Sequence, residues 1–173
     1  MFTWYKRGGK YINCPIEVGF RFQKKLVFDK DTFDAEVWIE RLERVKSQDF
    51  NRIKIPEFTY EIIDNEILFE IEFIKGRQLG ATTFENWKDV IKEDLVNRED
   101  HWGFGDLKPE NFIVEKNTDQ LYFVDFESYY PMNLEDRIRE WEKYLKIINL
   151  EIKNPHLIID FENNVIKHSF WSS

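Results

Sequence analysis

GDLKPENFIV at residues 105–114, followed by FVDFE at residues 123–127, is the stretch on which the reading of the chain turns. Asp106 and Asn111 flank Lys108, and Asp125 follows at the end of an apolar run. Residues 111–115 and 121–125 read as a short strand pair around the turn at 116–119. Each polar residue type has a chemical use at this spacing. A carboxylate can accept the proton of an attacking hydroxyl. An amide oxygen and a second carboxylate suit Mg²⁺, which prefers oxygen ligands and takes few of them from protein. A lysine beside the first acid can neutralise charge gathering on a moving phosphoryl group.

Working outward, residues 2–28 read as strands, with RGGK at 7–10 as a hairpin turn. Residues 20–28 alternate and then run apolar, as a half-buried strand does. Asp31 or Thr32 is placed to cap a helix over 33–46, whose apolar Ala35, Trp38, Ile39, Leu42 and Val45 recur at steps of three and four. Glu36, Glu40 and Glu43 recur on another face of it. Pro56 opens a second strand pair, 58–63 and 67–74, around the turn at 64–66, the strongest hairpin signal in the chain. Residues 75–79 read as a linker. A helix is expected over 83–98, carrying Phe84, Trp87, Val90, Ile91, Asp94 and Leu95 on its spacing, with Gly103 and Gly105 interrupting afterwards. The last long helix spans 134–152, with Ile138, Trp141, Leu145 and Ile148 on one face, and Pro155 stops it. Residues 157–161 and 165–171 suggest a closing hairpin. This order predicts an α+β fold in two lobes: a β-rich amino-terminal lobe over 1–75 and a small carboxyl-terminal lobe over 76–173, with a hinge near residue 75.

Composition narrows the classes. At 173 residues the chain is long enough for a core without staples. Hydrophobic residues make up 42%, which excludes intrinsic disorder. The net charge of −8 argues against a general nucleic-acid binder, because phosphate contacts need clustered Lys and Arg. The single cysteine, Cys14, excludes a disulfide framework and a cysteine-based zinc site, and reads as a small buried hydrophobe. His101, His156 and His168 have no metal-ligand spacing. No run of 18 apolar residues is present, so no membrane span is expected. The opening MFTWYKRGGK lacks the apolar centre of a signal peptide. A reducing, cytoplasmic setting is the expectation.

The 104–127 stretch resembles the protein kinase-like superfamily, whose catalytic loop follows H-R-D-L-x-x-x-N and whose metal motif is D-F-G. Here the loop is FGDLKPEN and the second motif is DFE. The resemblance implies that Asp106 is the catalytic base and that Lys108 is the lysine of serine/threonine-type kinases. It makes Asn111 and Asp125 the metal ligands. Phe104 and Gly105 depart from the usual His-Arg pair, and Glu127 replaces glycine. A glutamate at that place is common among the aminoglycoside and lipopolysaccharide kinase relatives, and the Gly-Asp form is similar to atypical kinases such as RIO-like and antibiotic kinases. Only a few residues separate Asp125 from the last helix, which leaves no room for an activation segment. Asp136 matches the helix-start aspartate that braces the catalytic loop in this superfamily.

In the amino-terminal half the same resemblance covers residues more by outline. Glu72, Phe73 and Ile74 match the hinge whose backbone holds adenine. Glu36, with Glu40 as second choice, matches the helix glutamate that pairs with a phosphate-binding lysine. Lys24, Lys25 and Lys30 compete for that lysine, and Lys25 is chosen because it leaves the longer turn before the helix. No G-x-G-x-x-G occurs, so Gly8 and Gly9 stand in as the phosphate-covering turn, with a plain hairpin turn equally compatible. The resemblance implies an ATP- and Mg²⁺-dependent phosphotransferase, with a serine or threonine of a protein as acceptor. The alternatives are a small-molecule kinase, of sugar or antibiotic type, and a nucleotide-binding pseudokinase acting as an interaction module. A separate protein supplying substrate recognition is a further implied partner.

Overall fold

The computed structural model describes residues 3–6, 9–12, 21–153, 157–160 and 165–168, with side chains described over 21–153. Cys14 and Gly8 lie outside the described residues. The class is α+β, with helices and small antiparallel sheets. The chain divides into two compact units, Met1–Gln48 with Ile55–Lys75, and Asp49–Lys54 with Gly76–Ser173. Among the described residues no helix is long and apolar enough to cross a membrane.

The first unit contains β1 (Thr3–Lys6), β2 (Gly9–Ile12), β3 (Arg21–Val27), α1 (Ala35–Ser47), β4 (Phe58–Ile63) and β5 (Glu66–Glu72). The strands form an antiparallel sheet in the order β1-β2-β3-β5-β4. The turn between β4 and β5 is tight, and Asp64 takes a φ of 54°, which aspartate tolerates better than most side chains. Strand alternation decides which residues reach the core. Ile67, Phe69 and Ile71 of β5 are buried, and they lie opposite Leu26, Lys24 and Phe22 of β3. Helix α1 covers this same face. Leu42 and Val45 point inward, Tyr60 of β4 donates to Glu43 Oε1 at 2.7 Å, and the Lys46 ammonium stands 5.4 Å from the Phe58 ring centre. Burial, and then the bond to Glu43, push the Tyr60 phenol up to about 12.

The cap of α1 falls at Asp34, three residues after the earlier of the two expected positions and two after the later. Asp34 Oδ1 accepts from the N–H groups of Glu36 (3.1 Å) and Val37 (3.3 Å). Asp31 and Thr32 are instead folded back onto Asp29, whose side chain and carbonyl take their N–H groups. Their turn is therefore complete before the helix starts.

The second unit contains β6 (Gly76–Gln78), α2 (Ala81–Ile91) running into a π-helical turn (Lys92–Val96), β7 (Trp102–Phe104), β8 (Phe112–Glu115), β9 (Leu121–Phe123), β10 (Tyr129–Pro131), α3 (Leu134–Lys153), β11 (Leu157–Asp160) and β12 (Val165–His168). Three small antiparallel sheets result: β6-β8-β9, β10-β7 and β11-β12. Gly76 is required by the first of these, because a Cβ there would lie 2.0 Å from the Val114 carbonyl oxygen.

Asp94 explains both the π-helical turn and the segment at 49–54. Its buried carboxylate accepts from the N–H groups of Asn51 (2.7 Å), Arg52 (2.9 Å) and Ile53 (2.6 Å). The widened turn carries this acid on the apolar stripe of the preceding helix, and the stripe places it inside. The captured segment then runs beside β9, with Lys54 donating to the Leu121 carbonyl at 3.0 Å and accepting from Phe123 at 2.9 Å. An aromatic layer underlies these elements. Phe104 and Phe123 rings are 4.5 Å apart, Phe112 and Phe123 5.0 Å, and Phe84 stands 5.7 Å from Trp141 of α3.

Candidate active site

One antiparallel pair, β7 with β10, and one short hairpin, β8 with β9, bring the polar residues of the 104–127 stretch together. β7 delivers Trp102, Gly103 and Phe104 and then releases the chain at Gly105, whose N–H donates to the Ser128 carbonyl at 3.1 Å. The loop from Asp106 closes through Asn111. Pro109 begins a 3₁₀ turn, Asn111 N–H donates to Lys108 O at 3.0 Å, and Asn111 Nδ2 donates to Asp106 O at 2.9 Å. β8 then pairs with β9, and Val124 N–H donates to Asn111 O at 2.9 Å. That register sets Asp125 beside Asn111, with Asn111 Nδ2 3.4 Å from Asp125 Oδ2. Asp125 itself is 8% exposed. Its carbonyl takes both the N–H (3.0 Å) and the hydroxyl (2.7 Å) of Ser128, which fixes the turn that follows it.

Asp106 is mostly covered, and its two oxygens face different groups. Lys108 Nζ is 3.7 Å from Oδ2 and also 3.9 Å from Glu110 Oε1. The Tyr144 hydroxyl, from α3, is 3.5 Å from Oδ1 and 3.2 Å from the Gly105 carbonyl. Burial pushes the Tyr144 phenol well above its ordinary value, and the Asp106 carboxylate adds to this. The structure thus brings Asp106, Lys108, Asn111 and Asp125 into one place.

The departures from the kinase-like pattern have local causes. Phe104 is buried against Phe50, Phe123 and Tyr129, where an imidazole would have to find polar partners. Gly105 lies under the Tyr130 ring, whose Cε1 would be 2.6 Å from an added Cβ. Glu127, in place of glycine, is buried in the turn after Asp125.

Asp136 does not brace the loop. Its carboxylate pairs outward with Arg139 at 2.9 Å, and its N–H donates to the Asn133 side chain, the cap of α3. The neighbouring Arg137 instead holds the segment that leads into β7, together with Met132 after β10. Its guanidinium is buried and donates to the carbonyls of Val96 (3.0 Å), Arg98 (2.6 Å), Asp100 (2.7 Å), Trp102 (3.1 Å) and Met132 (2.7 Å). Burial lowers its pKa. An arginine on the stripe shared with Trp141, Tyr144 and Ile148 was the sequence signal for this role. The stripe through Ile138 and Leu145 hides it, because those two are only half-buried.

In the first unit the expected Lys25–Glu36 pair is not formed. Lys25 lies opposite Leu68, on the face of the sheet away from Ile67 and Phe69, and pairs with Glu66 at 2.9 Å. Glu36 and Glu40 are exposed on α1. A lysine that reaches α1 has to stand on the face α1 covers, and β3 puts Lys24 there. Lys30 is exposed in the turn after β3. Glu72 is drawn back to Glu57, whose N–H donates to its Oε2 at 3.0 Å. Phe73 is exposed with its ring edge-on to Phe22, and Ile74 is buried. Gly9 opens β2 opposite Lys6.

The donor set at Asn111 and Asp125 fits a hard dication. It offers a carboxylate and an amide oxygen, few enough for Mg²⁺ to keep waters and phosphate oxygens. Among the described residues no group of three or more His, Cys, Asp or Glu is placed to hold a metal by itself. No protein-family model matches the chain, and no curated protein matches it.

Proposed function

We propose that the protein is an ATP- and Mg²⁺-dependent phosphotransferase of the two-lobed kinase-like type, acting on a hydroxyl. One observation carries the reading: Asp106, Lys108, Asn111 and Asp125 meet at the ends of β7, β8 and β9, tied by the bonds from Asn111 to Asp106 O and Asp125 Oδ2. In this reading Asp106 takes the proton of the acceptor hydroxyl as its oxygen bonds to the γ-phosphorus. The bond from that phosphorus to the β,γ-bridging oxygen breaks, and ADP leaves. Lys108 balances charge on the transferring group. Asn111 and Asp125 would hold Mg²⁺, which when bound neutralises the phosphates. Glu72, Phe73 and Ile74 would serve adenine through their backbone. Lys24, on the face of β3 that α1 covers, is then assigned to the phosphates in place of Lys25.

The lysine two positions after Asp106 favours a serine or threonine of a protein as acceptor. The short run from Asp125 to α3 favours a small molecule, or a protein presented by a partner. The test is transfer of labelled γ-phosphate from ATP with Mg²⁺ to a peptide mixture, to sugars and aminoglycosides, and to the chain itself. Loss of the general base or the metal carboxylate lowers such transfer by about 10²–10⁴-fold. Equal label in wild type, Asp106→Ala and Asp125→Ala sinks the enzyme reading.

A second reading, a nucleotide-binding pseudokinase, draws on the missing Lys25–Glu36 pair. Mg²⁺-dependent ATP binding in calorimetry, with no transfer to any acceptor, selects it.

A further inference from the structure

We infer that Tyr144 is a positioning residue for Asp106, fixing its carboxylate so that Oδ2 receives the acceptor's proton. The inference rests on the phosphotransferase reading and adds a residue from α3 to it. The Tyr144 hydroxyl faces two oxygens that can only accept, Gly105 O at 3.2 Å and Asp106 Oδ1 at 3.5 Å. A phenol has one proton, so it is shared between them in a three-centre arrangement. Gly105 and Asp106 are consecutive, and one hydroxyl therefore fixes both the start of the loop and the rotation of the carboxylate. The ring is held in turn, since Tyr144 is 6% exposed on the buried stripe of α3 with Trp141 and Ile148.

The two oxygens of Asp106 are thereby made unequal. Oδ1 faces a neutral donor that burial keeps protonated. Oδ2 faces Lys108 at 3.7 Å, longer than a hydrogen bond. A carboxylate free to rotate would present either oxygen and lose time in unproductive orientations. Long contacts of this kind tighten when substrates bind.

The experiment compares Tyr144→Phe with wild type, and makes the same substitution in Asp106→Asn, on the full chain. Phenylalanine keeps the ring and its packing. kcat and KM for ATP and for the acceptor are measured, with the thermal midpoint of each variant. The expected result is a fall in kcat of about tenfold or more, the worth of one hydrogen bond to a charged group. KM should stay within twofold, and the double variant should be no slower than Asp106→Asn alone, because Tyr144 acts through that carboxylate. A kcat within twofold of wild type overturns the inference. So does an equal loss in the Asp106→Asn background, which marks Tyr144 as structural even where the thermal midpoint falls. Wild type without transfer overturns the phosphotransferase reading and this inference together. Wild type with transfer lost in Asp106→Asn and kept in Tyr144→Phe overturns this inference alone.

Discussion

Several buried polar groups of the second unit are held by backbone atoms, whereas Lys25 and Tyr60 of the first are held by other side chains, Glu66 and Glu43. Asn111 bonds a carbonyl, Asp94 takes three N–H groups and Arg137 gives to five carbonyls. Lys25 pairs with another side chain, Glu66. Backbone partners are fixed once the chain is folded, and leaving one of them buried and unmet is costly. Surface ion pairs exchange partners at little cost. The two regions should therefore respond to substitution on different scales.

Arg137→Met is expected to have the largest effect. Methionine fills part of the volume, but several buried carbonyls lose their donor, at about 1–3 kcal/mol each before relaxation. A loss of at least about 3 kcal/mol is expected in urea unfolding followed by tryptophan fluorescence. Gly103 is bound into the same arrangement, because an added Cβ would lie 2.6 Å from Arg137 Cδ. A loss below about 1 kcal/mol would mean that water replaces the guanidinium, and the contrast between the two regions would not hold.

Asp94→Ala comes next, at about 2 kcal/mol, since Ile53 is buried while Asn51 and Arg52 can turn to water. Hydrogen exchange sharpens the test. The amides of Asn51, Arg52 and Ile53 should lose protection first, and Asp94→Asn should keep part of it because one oxygen still accepts. In the first unit Asp34→Ala removes a helix cap and should cost about 1 kcal/mol.

How much of this was legible follows the same division. The α+β class and the hairpin of β4 and β5 come directly from alternation and turn residues. The pairing of β11 with β12 also matches the expected closing hairpin, whose connecting residues 161–164 lie outside the described residues. β6, β7 and β10 are three residues each, too short for alternation to show, yet β7 and β10 deliver Gly105 and follow Asp125. Asp106, Lys108, Asn111 and Asp125 are legible as a group because the β8–β9 hairpin carries Asn111 and Asp125 next to its two ends and the loop with Asp106 and Lys108 leads directly into it, so sequence spacing is close to spatial spacing. Asp94 was visible as a charge on an apolar stripe, a signal that states burial without naming partners, whereas the stripe read through Ile138 and Leu145 hid Arg137. Tyr144 gave no signal of its own, since a tyrosine on such a stripe reads as core. The expected Lys25–Glu36 pair was misplaced for a different reason. Turn length was weighed where strand parity decides, and a shift of one residue moves a side chain through the sheet.

Lys25→Met is expected to have the smallest effect, and it tests that parity directly. Lys25 and Glu66 are diagonal neighbours across β3 and β5, each about one-third exposed at the side chain. A pair so placed is worth well under about 1 kcal/mol, and the substituted methionine keeps the stem that covers Leu68. Stability should change by no more than about 0.5 kcal/mol, and phosphate transfer, if the protein performs it, should stay at the wild-type rate. Lys24→Met is the control, because it changes the neighbouring residue on the face that α1 covers. Removing a lysine that holds phosphate costs far more than a surface pair, on the order of 10²-fold in rate. If Lys25→Met abolished transfer and Lys24→Met did not, β3 would have to present its other face to the nucleotide. The register that pairs Leu26 with Ile67 would then have to slip by one residue, which would bring Lys25 and Val27 into the core and turn Leu26 out to solvent.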